Sequence, residues 1–520
     1  MEKKVSEIKR LDDTSLRFIA GGLVIGVIAG FVVSLFRLSI EKIGEHLPSW
    51  FLFLKGHLYY LPVAFLLAAL LVLITGRLIQ SDQNIKGSGI PQVEGQLRGQ
   101  MEIRWWSVLW KKWLGGVLAV GSGLFLGREG PSIQLGASVA QGLGTKLAKT
   151  DSERKIYISA GAAAGLSAAF NAPIAGLLFV LEEVHHNFSP LVWLTSFAAA
   201  LASNFISMNF FGLTPVLYLG ELESLPVKHY ISLVFLGIFL GLLGLCYQKV
   251  LLRLPRWYGK LKIPTAFYCV VPFCLLIPVG LFFPHYLGGG NQIIHQLGTA
   301  PLSFYLLVGL FLLRFVFSMI SYGSGLPGGI FLPILTLGAV LGCIFGTVWC
   351  HFTGLDVSYI KDFIVFAMAG YFAAIGKAPL TAIILVTEMN GSIIHLMPLG
   401  VVSLVAYMTV DFFGGQPIYE ALLERMIEPD FGNIKGRKTI VEFPITAESG
   451  FAGQMIRDFV WPKEMLLTSI RRGEAELLTR GDTVMLVGDT LLILTDTGIS
   501  QKIKVTLQQM EQNQVGKTKL

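Results

Sequence analysis

The sequence predicts an all-α polytopic membrane protein, a duplicated helical bundle followed by a small α/β module. Three observations predict it: a composition poor in charge, a series of span-length apolar segments, and an internal repeat. The 520 residues are 53% hydrophobic and 14% charged, with a mean hydropathy of +0.64. Soluble domains carry about a quarter charged residues, so the shortfall points to lipid. The net charge of +7 fits basic cytoplasmic loops and calls for no nucleic acid.

Taken in order, the apolar segments begin with "FIAGGLVIGVIAGFVVSLF" (18–36) and "LYYLPVAFLLAALLVLITG" (58–76). Each is long enough to cross a bilayer, which needs roughly 20 residues. Further candidate spans cover 156–181, 190–212, 231–252, 265–283, 303–320, 329–350, 362–375 and 394–413. The first span lacks a small-residue cleavage site and is followed by many others, so it is kept as a span rather than a signal peptide. Its leader, "MEKKVSEIKR", is basic and places the N-terminus in the cytoplasm. Cys246, Cys269, Cys274, Cys343 and Cys350 fall in apolar segments without metal-ligand spacing and are expected to be buried thiols. The pair His185–His186 is expected at a helix end or loop. No cofactor, metal site or enzymatic nucleophile–base set is called for.

Past residue 413 the texture changes. A short polar helix in "GGQPIYEALLERM" leads to a Pro/Gly/basic linker. From Thr439, "TIVEFPI", "LLTSIRRG" and "AELLTRGDTVMLVGDTLLILTDT" read as short strands joined by turns. Open strands cannot face lipid, so this module lies outside the membrane. The expected organisation is an N-terminal cytoplasmic segment (1–16), a membrane domain (17–425), a linker (426–438), the module (439–506) and a polar tail (507–520).

The membrane part repeats itself. "NAPIAGLLFVLEE" (171–183) matches "KAPLTAIILVTEM" (377–389), and "GPSIQLGA" (130–137) matches "LPILTLGA" (332–339). The offsets, 206 and 202, belong to one duplication, with halves of about 17–215 and 228–425. Transporters built from repeats place substrate at the repeat interface, on broken helices. The matched segments alone leave open whether the halves are parallel or inverted.

Three Gly/Pro-bounded turns precede apolar helices: "GSGIP" (87–91), "GREGP" (127–131) and "GGIFLP" (328–333). A helix that starts inside a membrane leaves unpaired N–H groups at a positive dipole end, which suits an anion. The bland alternative is that the turns only shape the bundle. Glu129 sits in the second turn. A charge near the bilayer centre costs at least ~2.5–3.5 kcal/mol, so Glu129 is either functional or paired, with Arg128 the obvious partner. A carboxylate aimed at helix N-termini would occupy an anion's place until protonated, which is a proton-sensing gate. Glu182 and Glu183 end the run "GLLFVLEE". Successive helical residues differ by about 100°, so at most one faces a pathway. A helix end entering water explains both equally well, and Glu182→Gln is expected to do little.

Together these residues resemble the CLC family of chloride channels and chloride/proton antiporters, over about residues 20–425. The resemblance implies a homodimer in the cell membrane, with both termini cytoplasmic. Each subunit would have its own pore and two inverted repeats of tilted, partly re-entrant helices. It implies that Ser88 and Tyr419 donate hydroxyls to a central chloride, assisted by the backbone N–H groups of Ile330 and Phe331. Gly127 and Arg128 belong to the same anion-binding turns. Glu129 becomes the external gating glutamate, Glu183 the internal proton-transfer glutamate, and Lys112 a buried charge raising the local potential. Channels of the family replace the internal glutamate by an apolar residue, so Glu183 favours exchange; a passive channel on the same fold remains the alternative. Ser88 makes chloride the default anion. The segment "MIRDFVWPKEMLLTSIRRGEAELLTRGDTVMLVGDTLLIL" resembles the C-terminal lobe of RCK potassium-channel regulators (TrkA-C type). That implies a lobe which dimerises and binds a small effector such as a nucleotide. A passive dimer brace and a signalling output with vestigial transport are its rivals.

Overall fold

The computed structural model describes residues 2–427 apart from 187, 221–223, 300 and 301. It describes 438–511 apart from 447–448, 460, 463, 474, 497–498, 501–502, 504–505 and 508–509. Most of the expected linker, and the tail beyond residue 511, lie outside the described residues. The chain divides into two compact units after Glu424.

The first unit is helical throughout. Its first half contains α1 (Glu2–Gly56), α2 (Leu61–Ser81), α3 (Ile90–Leu97), α4 (Trp105–Gly121), α5 (Glu129–Leu147), α6 (Asp151–Phe170), α7 (Pro173–Phe179) and α8 (Pro190–Phe211). Then follow α9 (Ile231–Leu251), α10 (Leu254–Tyr258), α11 (Val270–Phe282), α12 (Asn291–Thr299), α13 (Phe304–Gly323), α14 (Phe331–Thr353), α15 (Ile360–Gly376), α16 (Pro379–Asn390) and α17 (Leu396–Phe412). α18 (Ile418–Met426) closes the series. Among the described residues, eight helical stretches are long and apolar enough to cross a bilayer.

Several expected spans are redrawn. The first is no 19-residue segment: the apolar helix runs from Ser15 to Gly56, 42 residues, or about 63 Å at 1.5 Å per residue. The expected span 156–181 is broken. α6 ends at Asn171, a non-glycine residue with φ +54°, and Pro173 starts α7. The signal was in the sequence, because a residue before proline is pushed out of the helical region. The expected burial of all five thiols also fails: Cys246 and Cys274 are exposed, each on a strongly apolar helix.

The duplication is visible in detail. α15 ends at Lys377, φ +60°, followed by Ala378 and Pro379, so the break at Asn171 recurs 206 positions later. α5 packs on α6 as α14 packs on α15, and α7 packs on α16. That last contact fixes the sense of the repeat. Glu388, near the end of α16, accepts the N–H groups of Ile174 and Ala175 at the start of α7, at 3.1 and 2.8 Å. Glu182, just beyond α7, accepts those of Leu380 and Thr381 at the start of α16, at 3.2 and 2.7 Å. Each helix begins where the other ends, so the two run antiparallel and the halves are inverted.

The second unit holds a four-stranded antiparallel sheet of order β1-β4-β2-β3, formed by β1 (Lys438–Pro444), β2 (Met465–Arg472), β3 (Ala475–Leu478) and β4 (Thr490–Asp496). Val441, Phe443, Phe451, Ile470, Met485, Leu491 and Ile493 form its core. Arg472 and Asp489 brace one end through two bonds of 2.8 Å, and Asp489 also accepts the Leu486 N–H. These bonds from Arg472, with the Leu486 N–H behind them, hold the Asp489 carboxyl below its ordinary range.

Candidate functional site

The three Gly/Pro turns meet. Gly127 and Gly329 exchange both backbone hydrogen bonds, at 2.7 and 2.6 Å, and are 202 positions apart. Gly87 donates to Gly325 and accepts from Gly328. Gly130 has to be glycine, because an added Cβ would lie 2.8 Å from the Ser88 carbonyl oxygen. Lys112, fully buried on α4, donates to the carbonyls of Ile85 and Gly87 at 2.9 and 2.8 Å. It thus holds the first turn by its backbone. The first N–H groups of α14, including Phe331 beside the Ile330 cap, have no intrahelical partner and open toward this junction.

Hydroxyls complete the polar lining. Ser88 is buried, and its oxygen accepts the Ile90 N–H at 3.3 Å, leaving the hydroxyl proton to donate elsewhere. The Tyr322 hydroxyl lies against Ser88. Tyr419, 1% exposed, has a hydroxyl with no hydrogen-bond partner among the described residues. It stands within electrostatic reach of Glu183, Tyr322 and Glu129. An unpaired buried hydroxyl costs about 1–3 kcal/mol, and this one is free to donate. Phe331 packs on Phe170, Phe179 and Phe372, and Tyr419 packs edge-on against Phe179. The walls around these polar groups are therefore aromatic.

Glu129 is fully buried at the first position of α5. The backbone N–H groups of Glu129 and Leu332 face its carboxylate, yet neither oxygen makes a well-formed hydrogen bond. Arg128 is no tight partner: its Nε is 4.0 Å from Glu129 Oε1. Its Nη1 bonds instead to Glu41 on α1, at 2.6 Å. Adjacent charges on a helix start thus point apart.

Glu183 lies in a π-helical turn, Val180–Val184, closed by a bond from His185 N to Val180 O. π-turns concentrate at functional sites. Its side chain is 4% exposed, and Glu94, Glu182, Glu420 and Arg98 act on it electrostatically. Arg98 bridges Glu94 and Glu420 at 2.7 and 3.0 Å. Glu182 points elsewhere. It is the cap on α16, and the Thr381 hydroxyl adds a further bond of 2.7 Å. The expectation that Glu182 is a dispensable helix end entering water is corrected. Sequence reasoning also missed Glu388, Glu41, Glu94 and Tyr322. Glu388 alone carried a signal, being the repeat counterpart of Glu182.

Residues 69–411 match the family model described as "Voltage gated chloride channel". The chain belongs to the CLC family. CLC relatives of known name extend the match. The H(+)/Cl(-) exchange transporter ClcA of Klebsiella pneumoniae (strain 342) is 33% identical over 437 residues, covering 81% of this chain and 92% of that protein. ClcA of Salmonella newport (strain SL254) is 33% identical over 442 residues, covering 82% and 92%. Among solved CLC structures, a slow cyanobacterial Cl-/H+ antiporter superposes with a TM-score of 0.72 at 29% identity, covering 79% of this chain and 98% of that one. A CLC-type fluoride/proton antiporter superposes with a TM-score of 0.63 at 23% identity, over 78% and 97%, and shares the fold. Residues 440–505 match the TrkA-C domain. The protein is accordingly a multi-pass membrane protein of CLC fold with a TrkA-C module.

Proposed function

We propose that the protein is a chloride/proton antiporter of the cell membrane, working as a homodimer with both termini cytoplasmic. One observation carries the reading: two buried carboxylates, Glu129 and Glu183, flank one hydroxyl-lined, aromatic-walled junction of helix N-termini. Its relatives named as H(+)/Cl(-) exchange transporters support it. A compact anion between Ser88 and Tyr419 receives hydroxyl protons and helix-end N–H groups without a full cation to trap it. Lys112 biases the potential from behind. Glu129 ionised competes for the same N–H groups. Protonated, it loses that attraction and yields the place, so anion entry is coupled to proton uptake at Glu129. Glu183 then exchanges the proton with the opposite side. Chloride is the anion, from the hydroxyl at Ser88. The TrkA-C module takes a small effector, a nucleotide being the first to try.

Purified protein in vesicles, read with chloride and proton electrodes, tests this. A chloride gradient should drive protons uphill. Chloride flux without proton movement would replace antiport by a passive channel, and no anion flux at all would leave the module as the working part.

A further inference from the structure

Beside the Arg128–Glu129 turn stands a second carboxylate that no part of the exchange cycle above uses. Glu41 is 33% exposed and lines a cavity of about 270 Å³ with Glu45, Asn291, Gln292, Leu332 and Arg128. It binds two guanidinium groups that behave differently. Arg37 is locked: besides Glu41 at 3.0 Å it donates to Asn171 Oδ1 at 3.2 Å and stacks on Phe211. Arg128 is loose. Nη1, on Glu41, is its only side-chain nitrogen with a hydrogen bond among the described residues; Nε and Nη2 are buried without one. Of these, Nε lies 4.0 Å from Glu129 Oε1, and neither Glu129 oxygen makes a well-formed hydrogen bond.

We propose that Glu41 is a positioning residue for the gate: ionised, it holds the Arg128 guanidinium away from Glu129, and protonated, it releases Arg128 onto the Glu129 carboxylate. The inference rests on Glu129 being the gate. Other charges facing Glu41 are few. Glu45 on the same helix pairs with Lys42, at 3.2 Å. The loop 284–292 carries His285, which is not among the residues lining this cavity, and Arg314 behind the loop is committed to the carbonyls of Tyr286, Gly288 and Gly289. Glu41 therefore sets how strongly Arg128 favours the ionised gate. An arginine brought against a carboxylate lowers the pH at which it protonates by about one unit or more.

The test uses full-length protein in vesicles, with chloride turnover and proton coupling measured across pH for the wild type, E41Q, E41D, E45Q and E129Q. E41Q mimics the released state, so half-maximal turnover should need about tenfold more protons, with the coupling ratio unchanged. E41D keeps the charge and should follow the wild type, as should E45Q. An E41Q profile that overlays the wild type overturns the proposal. So does an equal shift in E45Q, which would mark general cavity charge, or an E41D profile matching E41Q, which would mark packing. If E41Q does not fold, Glu41→Ser is read against the same outcomes. E129Q separates the two readings: if it still moves protons the gate assignment fails, whereas an uncoupled E129Q beside an unshifted E41Q sinks the Glu41 role alone.

Discussion

Two carboxylates differ in what surrounds them, and so in what their loss should do. Glu129 has helix N-termini in front of it and no strong bond of its own. Glutamine there mimics the protonated form and cannot release a proton. Glu129→Gln should therefore carry chloride without protons and lose its pH dependence, checked by paired electrode recordings. Glu183 sits instead in a cluster of charges, Glu94, Glu182, Glu420 and Arg98. Glu183→Gln should abolish proton transport while chloride flux and binding persist; equal loss of both in a folded protein would make it structural. Glu129 was legible in the sequence because a charge between helix breakers in an apolar run has few bland explanations. Glu41 was not. Arg128, the partner that ties it to the gate, is 87 positions away, and an i,i+4 pair with Arg37 is what any helix surface shows.

Elements meet here through their ends. α7 and α16 are short, and each starts at an Ala-Pro step where the preceding helix has been stopped by a left-handed residue. Their free N–H groups are satisfied across the repeat by Glu182 and Glu388. A side-chain cap contributes about 0.5–2 kcal/mol, so Glu182→Gln and Glu388→Gln should each lower the thermal midpoint comparably in detergent. Glu182→Gln should in addition slow proton transfer, because releasing Glu182 loosens the π-turn that aims Glu183. A stability loss in both with proton transfer untouched in Glu182→Gln would restrict the cap to a packing role. The duplication was readable because aligned segments preserve Ala-Pro and a glutamate. The caps were not, since spacing along one helix says nothing about what stands opposite. The break at 171 was readable from Pro173 and was overridden by the length of the apolar run.

For the whole molecule, every residue proposed for ion binding or proton transfer precedes Arg425, the start of the second unit. Truncation near Lys435 should leave coupled transport intact; a truncated protein that folds and no longer couples would show that the module takes part. Within the module, Asp489 is buried and takes three bonds, two of them from Arg472. Asp489→Asn should destabilise it by about 1.5–3 kcal/mol, read by hydrogen exchange over 465–496 in the full chain. Because the folded carboxyl titrates below its free value, that contribution is complete above the free value. It fades as pH falls through the lowered one. The Asn variant should lack this acid sensitivity.

The crossed caps have a consequence for the chain's history. Glu182 reaches the start of α16 as Glu388 reaches the start of α7, at equivalent positions of the two halves. Such a contact is isologous, the kind two identical subunits make about a two-fold axis. One half therefore already carries both the carboxylate and the helix start needed to grip a second copy of itself. A single inverted pair of half-length chains, later joined end to end, is sufficient ancestry for this interface, and the caps are its surviving handshake.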